Sequence, residues 1–404
     1  GSTLVEGTDY TQDGGKFVFA PSLVGSTLVC KMSNSHFPGL TITTSEFNVS
    51  GMPTNQIASF TTLESQVGIL TLRSNIKGNT ICIDWNGDGS GMKYYNLDTS
   101  VAQFEVQSTA GATAKVYTYG EKSELSVFGL SDLKLSNVDM TNLKELSMLT
   151  IKNAGINSVK WPDSPNFMEL NLEGNNFQSI DLGSHANDIF MLSLKNNKFE
   201  TFDATKFPNL GILNLFGNQL KSINVGSSVW QLDLGRNKLT EIDLSKATGL
   251  NNVALTENML SSIDISKNTS LAALFIDHNN FKFSTLPLEA KRMGAYFTYA
   301  NQADLDIQPE GNTVNLESEA TIGEKATNYR WFIGKPTINK VTYELEGEEL
   351  YVNDEYRVEN GISYFDLSET QEGLVCAMTN EALPNLILYT LPITIEGTDT
   401  GIAS

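Results

Sequence analysis

The residues best suited by type and spacing to hold a ligand are Asp84, Asn86 and Asp88, in the run Asp84-Trp85-Asn86-Gly87-Asp88-Gly89. Oxygen-bearing side chains at alternate positions, closed by a glycine, are what a hard cation such as Ca2+ needs at the start of its loop. The twelfth position, where a Glu would complete such a site, is Tyr95, and both flanks alternate like strands. The run therefore reads as an Asx-rich turn, with calcium as the alternative; no other cofactor is expected. Catalytic constellations are lacking. None of His36, His185 and His278 sits in H-E-x-x-H, and there is no G-x-S-x-G elbow, phosphate loop or dinucleotide fingerprint. Glu169 and Glu173 form a carboxylate pair, but a solvated strand face accounts for them without the cleft that a glycosidase needs. Cys30, Cys82 and Cys376 lie in apolar, strand-like settings with no metal-like spacing and read as buried free thiols. The expectation is a protein that is not an enzyme.

A second set of candidates depends on a repeat. The phrase Leu170-Asn171-Leu172-Glu173-Gly174-Asn175-Asn176-Phe177 returns from Leu192, Leu213, Leu232, Val253 and Leu274, with starts 22, 21, 19, 21 and 21 residues apart. An imperfect copy (Leu149, Ile151, Ala154, Ile156) precedes them, and a worn one (Tyr296, Thr298, Asn301) follows. An L-x-L pair puts two apolar side chains on one face of a short strand. Further apolar residues stand three positions before each phrase (Phe167, Ile189, Leu210) and ten and twelve after it (Ile180 and Leu182, Ile223 and Val225). One such coil cannot bury its own apolar faces, but a stack of coils makes a continuous core. The recurrent Asn175, Asn197, Asn218, Asn237, Asn258 and Asn279 are best read as a structural ladder, their amides satisfying backbone groups in the turn after each strand.

With L-x-L and a ladder Asn at this period, the chain resembles the leucine-rich-repeat family over roughly 170 residues. The outward positions lie one before, one within and one after each L-x-L. Coils stacked at about 4.8 Å would make of eight such rows a concave strip on the order of 40 Å long. Two groups on it break the polar rule for exposed sites: Met191, Ile212 and Phe216, with Asn214 between them, and Phe275, Phe297 and Tyr299. Contiguous exposed apolar side chains mark interaction sites, and both groups are candidate ligand-binding residues. A C-terminal module folding over the second group is the structural alternative there.

The flanks carry other modules. Tyr10, Gly15, Phe19, Leu28, Val29, Cys30, Met32, Asn34, Pro38, Leu40, Thr44 and Gly51 each recur 346 residues later, from Tyr356 to Gly397, without a gap. Two segments with one pattern should share one fold. The C-terminal copy is longer, and with Trp331 on an early strand and Cys376 on a later one it resembles an immunoglobulin-like β-sandwich. No Cys precedes Trp331 to make the usual disulfide. The N-terminal copy holds only the later strands, so residues upstream of Gly1 are expected to complete it, or another arrangement must. Residues 55–125 alternate in strand-like runs, and the turn at Asp84 to Gly89 resembles that of polycystic-kidney-disease-type sandwiches. The predicted architecture is mainly β: 1–53 a partial immunoglobulin-like module, 54–125 a β-sandwich cap, 126–305 a leucine-rich-repeat solenoid, and 306–404 an immunoglobulin-like β-sandwich.

Of the formal net charge of −20, a contribution of −14 (19 acidic against 5 basic side chains) lies from Asn301 onward. So acidic a module repels phosphate, and nucleic acid is not an expected partner. No apolar run is long enough to cross a bilayer. The combination of modules resembles surface proteins of gut Bacteroidetes, which implies export, an extracellular or cell-surface home and lipid attachment upstream of this sequence. The reading that follows is recognition and adhesion, with an extracellular protein bound on the concave face. The alternatives are a glycan-binding protein with aromatic platforms on the solenoid, and a structural spacer.

Overall fold

The computed structural model describes residues 3–13, 16–19, 23, 26–48, 54–119 and 124–398, and the chain is mostly β. Its organising element is one eleven-stranded sheet. It begins with Ala102–Gln107, Val67–Ser74 and Leu125–Ser131, and continues through Met148–Lys152, Glu169–Asn171, Met191–Ser193, Ile212–Asn214, Gln231–Asp233, Asn252–Ala254 and Ala273–Phe275 to Phe297–Thr298. The first Leu of each phrase stands beside the first Leu of the next: Leu149 by Leu170, then Leu192, Leu213, Leu232, Val253 and Leu274. All these pairings are parallel, as they must be when a chain returns to the same side once per coil. The paired L-x-L side chains are buried in the first seven coils, and the residues that close the other side, such as Phe207, Val225 and Leu244, meet them in one core.

The turn after each strand has a fixed plan. The residue four after the first Leu has positive φ in all eight coils: Asn153, Gly174, Asn196, Gly217, Arg236, Glu257, His278 and Asn301. That left-handed step turns the chain sharply enough to aim the next side chain back under the strand. The ladder Asn follows. Asn218 is typical: its Nδ2 donates to Leu194 O in the preceding coil (3.0 Å) and Leu215 O in its own (2.9 Å), while its Oδ1 accepts from Phe199 N (3.1 Å). Asn175, Asn197, Asn237, Asn258 and Asn279 bond the same way and are all buried.

The last coil corrects the sequence reading by one residue. Phe297, not Tyr296, pairs with Leu274, and Phe275 stands beside Thr298. Phe297 is 5 % exposed and Tyr296 65 %. Gln302 takes the ladder position, accepting from Asn279 N and Phe281 N and donating to Ile276 O and Tyr299 O. Asn301 supplies the left-handed step instead. The final spacing is thus 23 residues, and the longer amide of Gln302 reaches the equivalent carbonyls.

Before the coils, a five-stranded sheet (Met92–Leu97, Asn79–Asp84, Thr113–Thr118, Asn55–Thr62, Leu135–Asp139) meets the start of the long sheet through Tyr95 and Phe104, whose rings lie 4.9 Å apart. The strand Leu125–Ser131 pairs antiparallel with Val67–Ser74 on one side and parallel with Met148–Lys152 on the other. The apolar first coil is therefore continued, edge to edge, by antiparallel strands, which leaves no open core at that end.

After the coils, a sheet built on Lys325–Ile338 and Gln371–Asn380 faces a three-stranded one (Thr313–Asn315, Ile362–Phe365, Tyr356–Glu359). Trp331 fills the space between them, its ring 5.0 Å from Phe365 and its Nε1 donating to Ser363 Oγ at 2.9 Å. Leu305 N donates to Tyr389 O, and Glu319, itself buried, accepts from Ser284 N and Oγ, so this unit is tied to the last coil. Cys82 and Cys376 are buried free thiols, Cys82 with its pKa pushed up to about 11, chiefly by burial, whereas Cys30 is only half-buried. The N-terminal segment forms three two-stranded ribbons; Gly15 and Gly51 of the internal copy lie outside the described residues.

Candidate functional site

The outward face of the parallel strands presents columns, each holding equivalent residues of successive coils. Met191 and Ile212 are neighbours in the column just before the L-x-L, both half-buried. Phe216 is four residues beyond Ile212, about 13 Å along the strand, so the predicted group divides in two. Phe216 lies over Gly235, where an added Cβ would stand 2.9 Å from its ring, and carries two cations: Lys195 Nζ at 5.2 Å and the Arg236 guanidinium at 5.5 Å. Cations on both sides leave Phe216 in a charged surround rather than an apolar patch.

Carboxylates complete that surround. Glu173 bridges Lys152 (2.9 Å) and Lys195 (3.6 Å); partial burial pushes its pKa up, but the two lysines prevail and hold it below the usual range. Asp233 goes the other way. Burial raises its pKa, against the opposing Gly235 N–H, Lys195 and Asn214, whose Nδ2 reaches Asp233 Oδ2 at 3.2 Å. Asn214 also accepts from Phe216 N at 3.0 Å, so its amide is committed to positioning this surface.

The second predicted group does not form. Phe297 is in the core, and Tyr299, one pleat period further on, points to the same side and packs against the core half-buried. Their rings are 4.9 Å apart. Only Phe275 of the three faces outward, half-buried next to Thr298. The one-residue shift of the last coil is the whole reason: it exchanges inward and outward side chains.

Sequence reasoning missed the column two positions before the L-x-L. There Ser147, Met168, Phe190, Gly211 and Trp230 follow one another, each backbone N donating to the O of the one before. Met168, Phe190 and Trp230 are exposed. Phe190 Cε2 and Trp230 Nε1 each come within 2.7 Å of the place where a Cβ on Gly211 would be, so the two aromatics close over that glycine. With Met191 and Ile212 beside them, they form one apolar rim along the strand starts. Met168 also lines a groove of about 650 Å³ with Arg73, Glu145, Asn166, Asp188 and Asn209. The Trp230 indole N–H makes no hydrogen bond to the described residues. The signal was legible: large apolar residues at one phrase position in three of four consecutive coils.

The turn at Asp84 does not gather its oxygens for a cation. Asp84 accepts from Gly87 N (3.0 Å) and Gly89 N (2.8 Å), and Asp88 from Ser90 N and Oγ. Asn86 accepts from Thr109 Oγ1, and Lys115 Nζ, itself a cation, donates to Gly87 O at 2.8 Å. These side-chain oxygens are engaged by donors of the turn and by Thr109, an arrangement that does not fit a calcium cage. Among the described residues no group of three or more His, Cys, Asp or Glu is placed to hold a metal, and no helix is long and apolar enough to cross a membrane.

No protein-family model matches the chain, and no curated protein matches it. Among solved structures it is similar to the functional domain of InlJ from Listeria monocytogenes, a domain that includes a cysteine ladder (16 % identity, 65 % of this chain and 64 % of that one, TM-score 0.39). It is also similar to InlP from Listeria monocytogenes (16 % identity, 64 % of this chain and 76 % of that one, TM-score 0.37). Likenesses this distant carry no argument about architecture or function; the description of the coils rests on their own register and ladder bonds.

Proposed function

We propose that this chain is a non-enzymatic recognition protein whose leucine-rich-repeat solenoid binds an extracellular protein along the rim formed by Met168, Phe190, Trp230, Met191 and Ile212. The observation that carries this is the exposed Phe190–Trp230 pair over Gly211, flanked by three more apolar side chains on a preformed strand edge. Aromatic anchors on a rigid scaffold lose little freedom on binding, and an apolar centre with a polar groove beside it is the usual anatomy of a protein interface. The charged surround of Phe216 would set orientation at the edge of the contact. A home at the cell surface, with lipid attachment upstream, rests on the family resemblance of the modules alone. The glycan reading loses its Phe275, Phe297 and Tyr299 platform, since two of those rings turn inward.

The test is a binding screen of the purified protein against extracellular-matrix and epithelial surface proteins and a glycan array, with a Phe190→Asp/Trp230→Ser variant beside it. A saturable protein partner lost in the variant supports the rim as the site. A partner bound equally by the variant moves the site elsewhere, a glycan hit replaces the partner class, and no saturable hit favours the spacer reading.

A further inference from the structure

The backbone beneath the apolar rim fixes both its spacing and what it can offer a partner. In the column two positions before the L-x-L, each carbonyl accepts from two successive N–H groups of the next coil. Ser147 O takes those of Met168 and Glu169, Met168 O those of Phe190 and Met191, and Phe190 O those of Gly211 and Ile212. Gly211 O takes those of Trp230 and Gln231, and Trp230 O those of Asn251 and Asn252, all between 2.8 and 3.2 Å. Parallel strands joined in this way stand about 4.8 Å apart. The apolar side chains run from Met168 through Phe190, Met191 and Ile212 to Trp230, across three such spacings, on the order of 14 Å. Polar residues bound them in both columns: Ser147 and Glu169 before, Gln231 and Asn251 after.

Three features decide the shape of the partner. First, every backbone group just named is bonded, with both lone pairs of each carbonyl engaged, so a strand laid on the rim would find no ladder partner. A helix satisfies its own backbone and brings only side chains. Second, one helical turn advances about 5.4 Å, and over three coils its apolar stripe drifts from the coils by roughly 2 Å, which side-chain rotamers absorb. Same-face residues of an extended chain are about 6.8 Å apart and drift by roughly 6 Å, more than a whole coil. Third, Glu145 and Asp188 line the groove beside Met168, where the cation is Arg73, its Nε held by Ser126 Oγ at 2.9 Å. That flank favours basic side chains on whatever lies along it.

We propose that the element of the partner protein seated on the rim is an amphipathic α-helix lying across the coils. Its apolar stripe, one or two residues per turn for about three turns, meets Met168, Phe190, Met191, Ile212 and Trp230 in order, with Lys or Arg on the flank facing Glu145 and Asp188. Gly211 contributes no side chain, and Phe190 and Trp230 close over it, so the middle of the stripe rests on one aromatic surface rather than on a notch. Helix-in-groove recognition of this kind reads side chains at i, i+3, i+4 and i+7. The inference rests on the rim being the contact surface and names the element that fills it.

The probes are two fluorescein-labelled peptides of about fifteen residues with one composition of Leu, Ala and Lys. One places Leu at helical spacing, the other at every second position. Each is titrated into the full chain at about 0.15 M salt, with far-ultraviolet circular dichroism followed alongside. The expected result is saturable one-to-one binding of the helical pattern, with helicity gained on binding and an affinity roughly tenfold or more above that of the alternating pattern. A Phe190→Ser/Trp230→Ser variant, which keeps the charge of the rim, should weaken it by a similar factor, and Met259→Ala should leave it unchanged. Tighter binding of the alternating peptide, lost in the double variant, would overturn the helix and leave the rim standing. Equal binding of the helical peptide to parent and double variant would overturn the rim as its seat. No saturable binding of either peptide would overturn the helix, and the partner screen would then judge the rim by itself.

Discussion

Asn218 and its equivalents hold the coils by a fixed exchange of bonds, and that fixes what their loss costs. Removing the Asn218 amide strands Phe199 N in a dry interior and leaves Leu194 O and Leu215 O with only Asn197 Nδ2 and Asn237 Nδ2 of their ladder donors. Asn218→Ala should lower stability to urea by roughly 2–4 kcal/mol, whereas exposed Gln219→Ala next to it should change it by no more than about 0.5 kcal/mol. The two half-buried carboxylates on the outward face give opposite pH signatures. Glu173 has its folded pKa lowered, so its contribution is present above the ordinary carboxylate range and lost as pH falls through the lowered value. Asp233 has its folded pKa raised, so its contribution is present below the ordinary range and lost as pH rises through the raised value. Melting temperatures at neutral and acid pH check this. Glu173→Gln should cost stability at neutral pH and little in acid, and Asp233→Asn should compare better with the parent at neutral pH than in acid.

The last coil is the element where inference from sequence and the folded chain part. Six coils were legible because Leu-x-Leu and the Asn recur at nearly constant spacing, and the expected register is the one found. The final coil keeps the plan with different residues: Phe297 and Tyr299 for the two leucines, Asn301 for the glycine-like step, and Gln302 for the ladder Asn. An Asn one place before the true ladder residue invited the wrong phase. Phe297→Ala should cost about 3–5 kcal/mol, as for a buried ring, and Tyr296→Ala close to nothing, measured by equilibrium unfolding. Equal effects would restore the earlier phase. The rim was missed for a different reason. Strict alternation of the strand marks the positions next to L-x-L as outward, while Phe190 and Trp230 sit one step earlier, where the chain enters the strand and a side chain can lie along the edge.

At the scale of the molecule, one sheet runs from the antiparallel strands before the coils to the last coil, and buried contacts continue it into the C-terminal unit. The rim is thus anchored at both ends to packed structure, which keeps its columns in line and lets side chains from four coils act as one surface. The internal repeat was legible at the level of single residues because its offset is constant. In the proposed function Phe190 and Trp230 form the core of a recognition surface. The most direct measurement is the affinity of the partner from the binding screen for the parent, Trp230→Ala and Met259→Ala, the last removing an exposed apolar side chain outside the rim. The rim predicts a loss of roughly tenfold or more for Trp230→Ala and none for Met259→Ala. Equal affinity of all three proteins would contradict it.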